Sequence, residues 1–232
     1  MRIMSAVLLA VLLIAVPAQA QVPEPGRNQI ITHGTGLVEV PPTQAVVSVG
    51  AQVQRPAAAD ASAEVARIAE QILARLQMLG IRRQDIRTSG VRLTPVFTTP
   101  RDGTPQIAGY RATYTLTMTL TDLRLVGPAI DESVKTGANQ VMDVSFGLRD
   151  ASEARREALT LAVREARDKA DAIARAAGLQ IKSIVQISEE FVGIEVQGLG
   201  RAAPAQVPQG VPTPIEPGLI AVTARVTIVF GY

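Results

Sequence analysis

The sequence predicts an α+β fold: a mostly antiparallel sheet built from hairpins, covered by two long helices and one shorter helix. Three observations carry this reading. Tyr110 to Thr121 alternates without a break, with Tyr110, Ala112, Tyr114, Leu116, Met118 and Leu120 in one register and Arg111 followed by threonines in the other. Successive side chains on a strand point to opposite faces, so this is a strand with an apolar face and a hydroxyl face. Two segments, Pro56 to Gly80 and Asp150 to Gly178, instead repeat apolar residues at spacings of three and four, the helical period. The remaining strand-like segments come in pairs joined by turn residues, which places the helices together on one side.

In chain order, Ile30 to Val40 reads as a first strand carrying Gly34 and Gly36, and Pro41-Pro42 ends it. Gln44 to Gln54 reads as a second, with Ala45, Val47, Val49, Ala51 and Val53 on one face, and the short link between them suggests a hairpin. Pro56 suits a helix start, Val65, Ile68, Ala69, Ile72, Leu76 and Leu79 form its stripe, and Gly80 supplies a left-handed cap. Ile86 to Phe97, with Val91, Leu93 and Phe97 in register, pairs by hairpin with the strand at 110–121. Asp122 to Thr136 is the shorter helix, with Leu125, Ile130 and Val134 inward and Pro128 in its first turn. A strand follows from Val141 to Leu148. The second long helix opens on Asp150 and Glu153 as a capping pair. Its stripe is Leu159, Ala162, Ala166, Ala170, Ile173 and Ala177, and Gly178 closes it. Ile181 to Glu189 and Leu219 to Tyr232 are the last strands, and residues 197–214, rich in glycine and proline, read as a mobile loop.

Residues 1–20 are expected to be a cleaved signal peptide: Arg2, an apolar run from Ala6 to Val16, and Ala18-Gln19-Ala20 as the cleavage site. That run is shorter than the roughly 20 residues a spanning helix needs. The rest, 21–232, is expected to form the folded domain. The chain has no cysteine, so an exported form must rest on its hydrophobic core without disulfides, and thiolate chemistry is excluded. A net charge of +2 with mixed signs and an aromatic content of 3% leave no footprint for nucleic acid.

The order and spacing of several segments resemble the SIMPL-domain family of bacterial envelope proteins, which includes the periplasmic immunogenic proteins. These segments are Gly34-Thr35-Gly36-Leu37-Val38-Glu39-Val40-Pro41, Gly80-Ile81 with Asp85-Ile86-Arg87-Thr88, Pro95-Val96-Phe97 with Ile107 to Ala112, Gly137-Ala138-Asn139, Ala162 to Leu179, and Pro217-Gly218. The resemblance spans nearly all of residues 21–232, and it departs from the family at Pro42, where an aspartate is usual. It implies a periplasmic location, a role in resisting oxidative or envelope stress, large ring-like homo-oligomers, and no established catalytic residues.

The residues themselves point the same way on chemistry: no catalytic, cofactor-binding or metal-ligating set is expected. His33 is the only histidine, and a zinc site needs three or four ligands. Gly34-x-Gly36 lacks the third glycine of a dinucleotide fingerprint, has Glu39 in its place, and lies inside a strand, so close backbone approach explains it better. Asp131-Glu132 and Glu189-Glu190 read as solvated charge. Met78, Met118 and Met142 fall on apolar faces, which disfavours oxidant scavenging by thioethers. The expected function is therefore that of a non-enzymatic periplasmic protein acting by assembly, with peripheral envelope association. A binding module for a small ligand or envelope partner is the alternative. Mass spectrometry of envelope fractions should find an N-terminus at Gln21; intact Met1-bearing chain in the membrane would contradict the cleaved leader.

Overall fold

The computed structural model describes residues 28–100, 103–196 and 215–232. The expected leader at 1–20 and the expected loop at 197–214 lie outside the described residues. The described strands and helices follow in the order β1 (Gln29–Val40), β2 (Gln44–Arg55), α1 (Ala58–Met78), β3 (Ile86–Thr98), β4 (Gln106–Leu120), α2 (Val126–Lys135), β5 (Gln140–Gly147), α3 (Ser152–Ala176), β6 (Ser183–Val196) and β7 (Ile220–Gly231). The α+β class holds, and every described strand pairing is antiparallel.

The strands divide into two sheets, β1-β7-β6 and β3-β4-β2-β5. This corrects the expected first hairpin. β1 pairs with β7, and β2 lies between β4 and β5. Two-residue hairpins need positive φ at their turn positions, which proline cannot adopt. Pro41-Pro42 instead carries the chain from one sheet into the other. The expected β3–β4 hairpin is present, and β6 pairs with β7 along its length.

Each sheet buries one face under its own helices. α1 and α2 cover the four-stranded sheet, where Ala45, Val47, Val49, Leu116 and Met118 meet Ile72, Leu76, Val126 and Ile130. The alternation of β2 and β4 is thus the core pattern expected. Thr117, on the opposite hydroxyl face, is also buried, at 5% exposure. Its hydroxyl lies 3.0 Å from Ser48 Oγ and donates to Ser89 Oγ at 2.9 Å, so it is enclosed by polar partners on both neighbouring strands. Within α2, Ile130 is buried, but Val134 is exposed and Ala129 and Ser133 take its place inside. Pro128 sits in the first turn, as expected.

α3 covers the three-stranded sheet. Its buried face is Ala154, Ala158, Ala162, Ala166, Ala170 and Ala174, a strict four-residue repeat. Ile173 and Ala177, expected on this stripe, are exposed: the smaller Ala174 takes the inward place beside Ile173, and Ala177 is already at the C-cap. The reason for that closeness is in β1. A Cβ added at Gly34 would stand 1.8 Å from the carbonyl oxygen of Ala162, and one at Gly36 would stand 1.8 Å from that of Ala158. Only glycine lets helix backbone settle on strand backbone at this distance. One step further along both elements, Thr32 donates its hydroxyl to the Ala166 carbonyl at 2.7 Å. Asp150 accepts from the Ser152 N–H at 2.8 Å, one residue ahead of the cap position at Ala151. Gly80 and Gly178 end the long helices with positive φ, as expected.

The prediction is direct. Gly36→Ala should cost about 1–3 kcal/mol or more in urea unfolding, because its new methyl meets main chain that cannot rotate away. Gly147→Ala, which would meet only the flexible Gln44 side chain at 3.6 Å, should leave stability near wild type. Equal effects at the two sites would refute the close-approach account.

Candidate interaction surfaces

Polar chemistry gathers at one place that the sequence did not indicate. On the outer face of the three-stranded sheet, His33 of β1 approaches Thr227 of β7 with Nδ1 2.7 Å from Oγ1. The Thr227 hydroxyl in turn donates to Glu190 of β6, whose Oε1 lies 3.6 Å from His33 Nδ1. Glu190, read from sequence as solvated charge, is the extra residue where the register of β6 against β7 shifts. No spacing rule links residues 33, 190 and 227; strand pairing alone brings them together. The cluster is open, with the His33 side chain 65% exposed. Among the described residues no group of three or more His, Asp or Glu could hold a metal. Glu132, the other carboxylate singled out, pairs with Lys135 at 2.9 Å and Arg75 at 3.5 Å. The Gly34-x-Gly36 stretch has no room for a phosphate, since α3 backbone fills that space.

Sheet edges are the second kind of site. An edge strand offers unpaired N–H and C=O groups to any partner. β1 has one strand neighbour, and α3 closes part of its other side. Thr35 N–H donates to Glu165 Oε2 at 2.5 Å, and Lys169 Nζ donates to the His33 carbonyl at 3.0 Å. Glu165 and Lys169 are themselves paired at 2.9 Å, so a helix ion pair serves as a cover for the strand. Asp171 pairs with Arg167 at 3.4 Å, and Arg175 donates to the Asp171 carbonyl at 3.2 Å. An open groove of about 460 Å³ remains beside this edge, lined by Ile31, His33, Ala172 and Ile173.

β3 and β6 are treated differently. Both are edge strands that extend past the helical layer. Register with β4 places Val91 and Leu93 opposite Tyr114 and Ala112, on the helix side of the sheet. Yet Val91 is 67% exposed, and Phe97, paired with exposed Ile107, is 60% exposed. Val91, Leu93 and Phe97 share a register, as expected, but of this strand only Ile86 at its start is buried, in the core with Ile72 and Leu76. β6 repeats the arrangement, with Ile184, Ile187 and Ile194 opposite the buried Phe230, Ile228 and Val222 but themselves exposed. Each sheet thus ends in an apolar ledge. Met78 and Met142, expected on apolar faces, are exposed as well, and only Met118 is fully buried.

The family model described as SIMPL, protein of unknown function (DUF541), matches residues 30–230. A 26 kDa periplasmic immunogenic protein of Brucella melitensis is 30% identical over 75% of this chain and 72% of its own. The uncharacterized protein YggE of Edwardsiella ictaluri is 26% identical over 91% of this chain and 89% of its own, and that of Escherichia coli K12 is 28% identical over 66% and 64%.

The edge cover has a pH signature. The Thr35 N–H, and after it Lys169, holds the Glu165 carboxyl below the usual carboxylate range. A lowered folded-state pKa adds stability above the unfolded value, about 4.3, that is lost as pH falls through the folded one. Glu165→Gln should therefore be less stable than wild type near neutrality, with the gap closing on acidification below about pH 4. A gap that stays constant with pH would show that the charge is irrelevant.

Proposed function

The chain belongs to the SIMPL family, and from that premise we propose that it is a non-enzymatic protein of the periplasm that acts through assembly with copies of itself. The observation that carries the reading is the pair of apolar ledges on β3 and β6. Contiguous exposed apolar residues beside polar surface mark association sites. The two ledges differ in sequence and lie on different sheets, so a contact between one ledge and the other ledge of the next copy is heterologous. Such contacts close into rings when the rotation permits. The name of the Brucella relative supports the compartment, and the expected leader at 1–20 with a domain at 21–232 is part of the same proposal. Resistance to oxidative or envelope stress is also part of it and rests on the family resemblance alone. The non-enzymatic part is supported by the setting of His33, whose only close polar partners lie on an open face, where a reacting group would stand in bulk water.

The second reading, a binding module, has the groove beside β1 in its favour, where Ile31 and Ile173 offer apolar surface to a small ligand. Light scattering separates the two. Assembly predicts a mass many times the 24.5 kDa of one chain. It also predicts that Phe97→Asp and Ile187→Asp each bring the mass down toward that of the monomer. A monomeric wild type, or variants that keep the full mass, would remove the assembly reading and leave the groove as the stronger candidate.

A further inference from the structure

The outer face of the four-stranded sheet carries a charge distribution that assembly through the ledges does not use. β4 places Arg111, Thr113, Thr115, Thr117 and Thr119 on this face, opposite the core row of Ala112 to Leu120. On β3, Arg87 stands opposite Thr117 and Arg92 opposite Thr113; on β2, Ser48 and Gln52 stand opposite the same two threonines. Arg87, Arg92 and Arg111 are exposed, and none of them forms an ion pair among the described residues. Arg111 makes only a long contact to Gln54, at 3.5 Å. Arg55, Arg75, Arg82, Arg124 and Arg167, by contrast, have carboxylate partners. Asp143 on β5, opposite Ser48 and at the far edge, is the one acidic residue that the four strands contribute to the face.

We infer that this face is a docking surface for an anionic phospholipid membrane. Arg87 and Arg92 sit four strand positions apart along β4, about 13 Å, so they reach separate anions. Guanidinium forks match phosphate oxygens, and the hydroxyls of Thr113 and Thr119 on the same face can donate to headgroup oxygens. The face is the open surface of a sheet, which fits a flat partner better than a small enclosed anion. It carries no aromatic side chain on which a base could stack.

Co-sedimentation with phosphatidylglycerol and phosphatidylcholine vesicles tests this. The protein should bind phosphatidylglycerol about a hundredfold more tightly, at about fivefold per basic residue, and the preference should weaken as salt rises. Arg87→Gln, Arg92→Gln and Arg111→Gln together should remove it. The same charge change made on the exposed side of α3, at Arg155, Arg156 and Arg164, should not. Equal binding to both vesicles would overturn the inference, as would a control triple that loses as much. So would a single-stranded oligonucleotide that binds as tightly as the vesicles through the same three arginines.

Discussion

The contact between Gly34, Gly36 and the backbone of α3 is the constraint on which half of this structure depends. A helix normally stands about a side chain away from the sheet it covers. Here the strand has no side chains at the two crossing points, and the helix offers only methyl groups. The gain is dense van der Waals contact over a long interface, since dispersion is large only when atoms touch. The consequence for the rest of the sheet is lateral. A helix seated that low covers β1 and β7, and it does not extend over β6. The exposed isoleucines of β6 follow from where α3 sits.

The second sheet reaches a similar state by a different route. α1 and α2 present larger residues, such as Ile72, Leu76 and Ile130, to β2 and β4. Their bulk fills the space above the central strands, and β3 beyond Ile86 is left outside. Both sheets are therefore built with a well-filled centre and an unfinished edge. At the β1 edge, Glu165 and Lys169 satisfy main-chain groups that a partner strand would otherwise take. Closing one edge and leaving apolar residues beside others directs where contact can occur.

Much of the fold was legible because its strands and helices obey simple periods. β2 and β4 bury the apolar rows read from their alternation, with Thr117 the buried exception on the other face of β4. The exposure of most of β3 was not legible for the same reason that its existence was: Val91, Leu93 and Phe97 share a face, but periodicity does not reveal whether anything covers that face. The pairing of β1 was misread because a short link usually means adjacency, and the rigid φ of two successive prolines overrides that tendency. On α3 the choice between Ala174 and Ile173 as the inward residue turns on how close the strand lies, which depends on glycines more than a hundred residues away. The His33, Thr227 and Glu190 cluster could not have been anticipated, since a register shift in β6 sets the position of Glu190. The absence of a catalytic constellation from the expectations came from composition, above all one histidine and no cysteine.

The glycine crossing has an evolutionary side. Most packing defects can be repaired by a second change, in which a neighbour shrinks to accept a larger residue. At Gly34 and Gly36 the obstructing atoms are the carbonyl oxygens of Ala162 and Ala158, which belong to the main chain. Every amino acid carries that carbonyl, so no replacement at either alanine can make room. The two glycines therefore have no compensatory partner available by substitution. A lineage that loses one of them must lift the whole helix to accommodate the change, and lifting it would empty the alanine face from Ala154 to Ala174 at once.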